Sequence, residues 1–332
     1  MRQLSLPLAG AVLLGLYACA PTPAAPPPAS PAPPPAPPAT APALPGRATL
    51  SARFLDVGQG DATLVTTSDG ASMLVDAGPP EAAPKVAAAL DRIGRSVDVV
   101  VLSHAHADHL GALDALAAGP LQIRGFFLDS AFAEHPVKVY PRAIEALRGR
   151  AVAIRVARRG DAFAVGHSAE AHVLAPADPL LRSTRSDVNA NSVVVRVDHR
   201  SGADATRLLF VGDAEEPTEK RLLEHASELR TDVLKVAHHG SKHASTAAFL
   251  DAAAPKIAVI SCARGNDYGH PHKPALDRLS ARGVAIYRTD LHGDVEVRSA
   301  GPGAGGLSVH TEREPDAAAI RQPGSRTERD AP

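Results

Sequence analysis

The chain has 332 residues, a formal net charge of −1, 21% charged and 3% aromatic residues, no Trp and two cysteines. Near-neutrality excludes a global basic field for nucleic acid, and so few aromatics exclude an extensive stacking surface for single strands. Two cysteines, Cys19 and Cys262, exclude a disulfide framework and a thiolate zinc cluster.

Met1 and Arg2 supply a short positive region, and the apolar LSLPLAGAVLLGLY after them is too short to span a bilayer comfortably. With its closing LYAC, residues 1–19 resemble a bacterial lipoprotein signal in which Cys19 becomes the lipidated residue; Tyr17 departs from the usual small residue and leaves plain secretion or an uncleaved anchor as alternatives. The expected location is therefore extracytoplasmic, membrane-anchored or secreted. Residues 20–47 are mostly Pro and Ala and read as a stiff polyproline-type tether. A folded domain is expected over 48–298, followed by a Gly-, Pro- and charge-rich tail over 299–332 expected to be disordered.

Within the domain, LSARFLDV, DATLVTT and SMLVDAG read as strands, the last two joined by a turn at Ser68-Asp69-Gly70. EAAPKVAAALDRIG has helical spacing and stops at Gly94. VDVVVLS is a buried strand, GALDALAAG a helix, and QIRGFFLD and AVAIRVA are strands around the helix PRAIEALRG. NSVVVRVDH and TRLLFVGD form an antiparallel pair, and PTEKRLLEHASE is a helix with Pro217 in its first turn. Strand, helix, strand and helix follow at TDVLKVAHHG, STAAFLDAAA, KIAVISC and PALDRLSARG; VAIYRTD and GDVEVRS are expected to close as a hairpin. Two halves rich in βα units predict an α/β fold (α+β in its mixed sheets), with two face-to-face sheets inside helical layers in an αββα sandwich.

The chemistry concentrates at strand ends. SHAHADHLG places His104, His106, Asp108 and His109 directly after VDVVVL. His104 and His106 can reach one point and Asp108 and His109 a second, and imidazole with carboxylate suits Zn, Mn or Fe. Asp213 ends LLFVGD, and His238 and His239 end LKVAHHG, each after an apolar run; Asp56 and Asp76 end earlier strands. A lone strand-end Asp is more often a turn residue, but the joint pattern predicts a two-metal centre.

HAHADH matches the HxHxDH motif of the metallo-β-lactamase fold superfamily. FLDVGQGDATLV, LVDAG, LSHAHADHLGAL, NANSVVVRV, LLFVGD, LKVAHHGSKHAST and YGHPH resemble, in order, the C-terminal hydrolase domain of the ComEC/Rec2 competence proteins and their stand-alone relatives, over residues 50–297. The resemblance implies two divalent ions, Zn or Mn: His104 and His106 on the first, Asp108 and His109 on the second, Asp213 bridging and His238 as the last ligand. His239 is then an outer partner or proton donor. A further histidine that many members use on the first ion has no clear equivalent, so a single-metal enzyme stays open, and Asn191 is the candidate ligand or substrate contact there. The diiron branch has Glu where His106 stands, which disfavours redox chemistry.

The implied reaction is hydrolysis by a metal-activated water, with Asp108 orienting that water and His239 or His270 protonating the leaving group. Ser241 and Lys242 are candidate anion contacts at an expected helix start, against a reading as cap and solvated charge. Asp56, Asp61 and Asp76 are candidate outer partners of ligand histidines. Lys138, Arg142, Arg148, Arg150, Arg155, Arg158 and Arg159 against Glu145 make a locally basic stretch that would track a phosphodiester backbone if it flanked the metal edge. The expectation is a phosphodiesterase or nuclease acting on nucleic acid, anchored to a membrane through Cys19 and without a transport channel of its own. The alternatives are a lactonase or β-lactamase-like hydrolase and a non-catalytic tethered DNA-binding module.

Overall fold

The computed structural model describes residues 48–119, 121–132, 137–200, 205–300 and 306–325; the signal stretch, Cys19 and the tether lie outside them. Fifteen strands are present among the described residues. In chain order they are β1 (Leu50–Phe54), β2 (Thr63–Thr67), β3 (Ser72–Val75), β4 (Ser96–Val101), β5 (Gln122–Asp129), β6 (Ala153–Val156), β7 (Ala162–Val165) and β8 (Ala169–Ala175). They continue with β9 (Val194–Arg200), β10 (Ala205–Phe210), β11 (Val233–Lys235), β12 (Ile257–Ile260), β13 (Ala285–Arg288), β14 (Val295–Ser299) and β15 (Leu307–Thr311). One sheet has the order β15-β14-β1-β2-β3-β4-β5-β6 and the other β13-β12-β11-β10-β9-β8-β7.

The two-residue period of each strand divides its side chains between two layers. Val99 and Val101 of β4 face the core between the sheets, together with Phe54, Val195 and Phe210. Val100 and Leu102 face outward onto Val86, Leu90, Leu113 and Leu147 of the covering helices. On the other sheet, Leu209, Leu234 and Ala258 pack under Leu222, Phe249, Leu250 and Leu276. The fold is the αββα sandwich expected from the sequence.

Parallel pairing then decides where the site lies. β3-β4-β5-β6 and β10-β11-β12-β13 are parallel runs. Parallel neighbours need crossovers, and helices Ala83–Asp91, Leu113–Ala118, Val139–Gly149, Glu216–Leu223, Ala247–Ala253 and Lys273–Ser280 fill them. The C-terminal ends of each parallel run therefore share one edge. Asp76, His104, Asp213, His238 and Ser261 follow β3, β4, β10, β11 and β12 respectively, which explains how residues far apart in sequence meet.

Two expectations change, and one hairpin is added. The β7–β8 hairpin had no sequence signal, because its alanine-rich stretch has weak strand propensity; pairing of β8 with β9 holds it. VAIYRTD and GDVEVRS are not a hairpin: β13 lies parallel to β12, whereas β14 pairs with β1 in the other sheet, and helix Thr289–His292 carries the chain across. The tail expected to be disordered carries β15, antiparallel to β14, and helix Ala317–Ile320. Side-chain contacts tie it to the domain: its Arg313 lies 3.1 Å from Asp56, and Arg288 of β13 donates to the Ile320 carbonyl at 3.2 Å. No helix among the described residues is long and apolar enough to cross a membrane.

Candidate metal centre

His104, His106, Asp108, His109, Asp213 and His239 gather at the shared edge in two groups that overlap at Asp213. Asp108, His109, Asp213 and His239 form one group and His104, His106 and Asp213 the other, each with its ligand atoms within 4.8 Å of one another. The two Asp213 oxygens divide the work. Oδ1 lies 3.2 Å from His109 Nε2 and 3.6 Å from His239 Nε2; Oδ2 lies 3.7 Å from His104 Nε2 and 3.6 Å from His238 Nε2.

Three rings are aimed by what their other nitrogen touches. His109 Nδ1 donates to Asp76 at 2.8 Å, and Asp76 also accepts from Ser103 Oγ and from the Ser103 backbone N–H. His239 Nδ1 donates to the Ser261 carbonyl at 2.9 Å, leaving Nε2 3.2 Å from Asp108 Oδ2. His238 Nδ1 is 3.1 Å from Glu215. Outer partners of this kind fix the tautomer that presents Nε2 inward. Gly60 permits the approach that seats Asp108: it has φ +150°, and a Cβ there would stand 2.3 Å from the Asp108 carbonyl oxygen, which the next residue's N–H, that of Asp61, reaches at 3.0 Å.

The donor set fits divalent cations. His104 Nε2 and His106 Nδ1 lie 3.0 Å apart, close to the roughly 3.3 Å edge of a tetrahedron with metal–nitrogen bonds of about 2.0 Å. His109 Nε2 and Asp213 Oδ1 are buried without a hydrogen-bond partner among the described residues, although they are neighbours. Both point at a shared space that a cation would fill. The electrostatics agree. Burial would lower His239, but Asp213, Asp61 and Asp108 raise it to about 10; burial is likewise overcome at His109, which Asp213, Asp76 and Asp108 lift well above its ordinary range. Burial followed by repulsion from His109 holds His104 well below it. Burial would raise Asp213, but His238, His109 and His239 hold it far down. Without ions, protons on the histidines supply the positive charge that the carboxylates demand. Behind the centre, the buried Lys235 ammonium lies 2.7 Å from Asp61, whose other oxygen is 3.5 Å from His239.

Several expected roles move. His239, not His238, joins the Asp108 and His109 group, while His238 stands on the His104 side of Asp213. The two histidines occupy consecutive left-handed positions, φ 47° and 52°, a turn that no strand pattern encodes. Asn191 faces away: its amide bonds to Leu181 and to the Asp187 carbonyl. Asn189 instead lines the cavity of about 350 Å³ over the cluster, and its buried Oδ1 has no hydrogen-bond partner among the described residues. Ser241 and Lys242 do not start a helix, since the next one is capped by Thr246 through the Phe249 N–H. Asp56 lies away from the histidines and accepts from Arg313. His270 lines the cavity with Nδ1 unpartnered among the described residues, and burial, then His239 and His238, push it down to about 3. In the basic stretch, Arg142, Arg158 and Arg159 pair with Asp114, Asp178 and Glu228, and Arg155 lies over Phe126. Glu215 and Lys235 were missed. Glu215 sits two residues after Asp213; Lys235 ends a short buried strand where a lysine is unexpected, and that anomaly was the available signal.

Residues 55–119, which hold the HxHxDH segment, match the sequence model of the Metallo-beta-lactamase superfamily. The chain carries a metallo-β-lactamase superfamily domain. It is 31% identical over 257 residues to competence protein ComA of Neisseria gonorrhoeae, covering 76% of this chain and 32% of that protein. It is 28% identical over 204 residues to ComE operon protein 3 of Bacillus subtilis, covering 61% of this chain and 25% of that protein. The chain thus spans between a quarter and a third of these relatives' length. The solved metallo-β-lactamase fold protein YhfI of Bacillus subtilis matches with TM-score 0.47 and 12% identity, covering 72% of this chain and 95% of that one. The metallo-β-lactamase fold of this chain thus carries a candidate metal-binding cluster, and the chain is related to competence proteins.

Proposed function

We propose that the chain is a metal-dependent phosphodiesterase or nuclease. The observation that carries the hydrolytic part is the Asp213 carboxylate shared between two ligand groups, one oxygen to each. Similarity to the competence proteins supports phosphodiester over lactam or lactone chemistry. Asp108, His109, Asp213 and His239 would hold one divalent ion, Zn or Mn. His104, His106 and Asp213 would hold the other, with His238 beside it and Asn189 lining the same cavity. Bound there, the ions would supply an acidified water and neutralise charge on the attacked group.

The chain's own residues do the rest. Asp76 and Ser103 hold His109, the Ser261 carbonyl holds His239, and Glu215 holds His238. Asp108 Oδ2, the most accessible carboxylate of the cluster, accepts a proton from the attacking water. His239 is committed to the ligand group and His270 is held neutral near pH 7, so the leaving oxygen takes up the proton that Asp108 accepted, and His270 can only accept hydrogen bonds or protons at the cavity wall. Lipidation of Cys19 would tether the domain to a membrane surface on the extracytoplasmic side.

The test loads the protein with Mn or Zn and assays a DNA oligonucleotide, a bare phosphodiester, a β-lactam and a lactone, with Asp213→Asn as control. Phosphodiester cleavage lost in the variant supports the proposal. Turnover of lactam or lactone alone overturns it, and oligonucleotide binding without turnover under either metal identifies a binding module instead.

A further inference from the structure

Tyr268 is 58% exposed, and it and Val156 are the two large apolar side chains left this open among the described residues. Val156 lies on the edge strand β6, whereas Tyr268 lines the mouth of the metal cavity. Its ring stacks on His270 at 5.5 Å between centroids and 18° between planes, and His270 in turn meets His238 at 5.5 Å. A row of rings thus runs from solvent to the Asp213 carboxylate.

The loop under Tyr268 is fixed in advance. Buried Asn266 accepts from the Tyr268 and His270 backbone N–H groups at 3.1 and 2.9 Å, and its amide donates to the Ala263 and His270 carbonyls. The C-terminal segment braces the same loop, with the Gly324 N–H donating to the Pro271 carbonyl at 2.9 Å. Behind His270, the His272 ring lies 4.9 Å away and its Nδ1 accepts from the Lys242 backbone N–H. A rigid aromatic face at the mouth of an ion centre suits a nucleobase joined to a phosphodiester.

We propose that Tyr268 is a stacking platform for the base next to the scissile phosphodiester, so that the site selects unpaired nucleotides over duplex. This rests on the phosphodiesterase reading. A base inside a duplex has both faces covered by its neighbours, and only an unstacked one can lie on Tyr268. The platform positions substrate and takes no part in bond breaking.

The test uses the full chain loaded with Mn, and measures KM and kcat on a single-stranded oligonucleotide, the same strand with abasic sites, and its duplex. Metal content is determined for each variant. Base stacking is worth roughly a 5- to 100-fold change in affinity. Wild type is expected to prefer the base-bearing single strand by that factor, mainly in KM. Tyr268→Phe keeps the preference, and Tyr268→Ala reduces it to within about twofold of none at unchanged metal content. If Tyr268→Ala keeps the preference, or wild type cleaves abasic or duplex strands equally well, the platform is wrong while the phosphodiesterase reading stands. If wild type cleaves none of the three, both fall.

Discussion

Lys235→Met tests whether the ligand histidines rest on a buried charge pair. The Lys235 and Asp61 side chains are 3% and 5% exposed and 2.7 Å apart. At an effective dielectric constant near 20, two unit charges at that distance attract by about 6 kcal/mol, much of it offset by desolvation. Removing the ammonium alone leaves the Asp61 carboxylate buried beside Asp76 with His239 and His109 at 3.5 and 3.9 Å as its remaining partners, and breaking a buried pair in this way costs up to about 3–5 kcal/mol. That is a large share of the roughly 5–15 kcal/mol by which a domain is stable. Urea unfolding of the ion-free protein at pH 7 should show the loss, and Lys235→Met with Asp61→Asn should recover at least half of it. The same loss would loosen His239, so Lys235→Met should bind ions more weakly than the double variant. A cost below about 1 kcal/mol for Lys235→Met alone, or a double variant no more stable than the single, would refute the reasoning.

Asp76→Asn removes the acceptor that aims His109, and ion affinity by calorimetric titration should fall by about 10- to 100-fold while the fold, read by circular dichroism, persists. His238→Ala should weaken one class of ion sites and spare the other; equal loss from both classes would contradict its place on the His104 side of Asp213. Because His239 is raised to about 10 in the folded protein from about 6.5 when unfolded, its stabilisation is complete below about pH 6.5 and is lost as pH rises toward 10. The ion-free protein should therefore lose up to about 1.4 kcal/mol per pH unit per proton across that window, and the ion-loaded protein should not, as urea midpoints against pH will show. His270, lowered to about 3, acts in the opposite sense: its contribution is present above about pH 6.5 and fades as pH falls toward 3. His238→Gly should be more stable than His238→Ala by about 1 kcal/mol in the ion-free protein, because glycine accepts the left-handed backbone.

The sandwich and the edge on which the site lies were legible because they depend on local patterns. Apolar runs that end in His or Asp mark strands leading to a polar edge, and alternating strand and helix signals mark parallel pairing. What failed depended on choices that periodicity does not carry. Asn189 and Asn191 are equally plausible in NANSV; the helical turn Asp187–Ala190, capped by Ser186, decides which amide faces the cavity. Sequence likewise gives no view of Asp114, Asp178 and Glu228, which arrive from other elements to pair Arg142, Arg158 and Arg159 of the basic stretch. The tail looked disordered by composition, yet the exposed edge of β14 offered its unpaired backbone groups, and β15 satisfies them.

The two left-handed histidines show why the strand-end rule could locate the centre without assigning its ligands. Had β11 continued through His238 and His239, the period of two would send their rings to opposite faces, and only one could reach Asp213. The turn at φ 47° and 52° instead brings both Nε2 atoms to 3.6 Å from that carboxylate, one at each oxygen. A left-handed residue other than glycine costs roughly 1–2 kcal/mol, and two in succession are held only where surrounding contacts over-determine them. Those contacts are present: Glu215 at His238 Nδ1, the Ser261 carbonyl at His239 Nδ1, and the Gly212 carbonyl accepting from the His238 backbone N–H at 3.1 Å. The strain lies between the two ligand groups, where it places one histidine on each side of a single shared carboxylate.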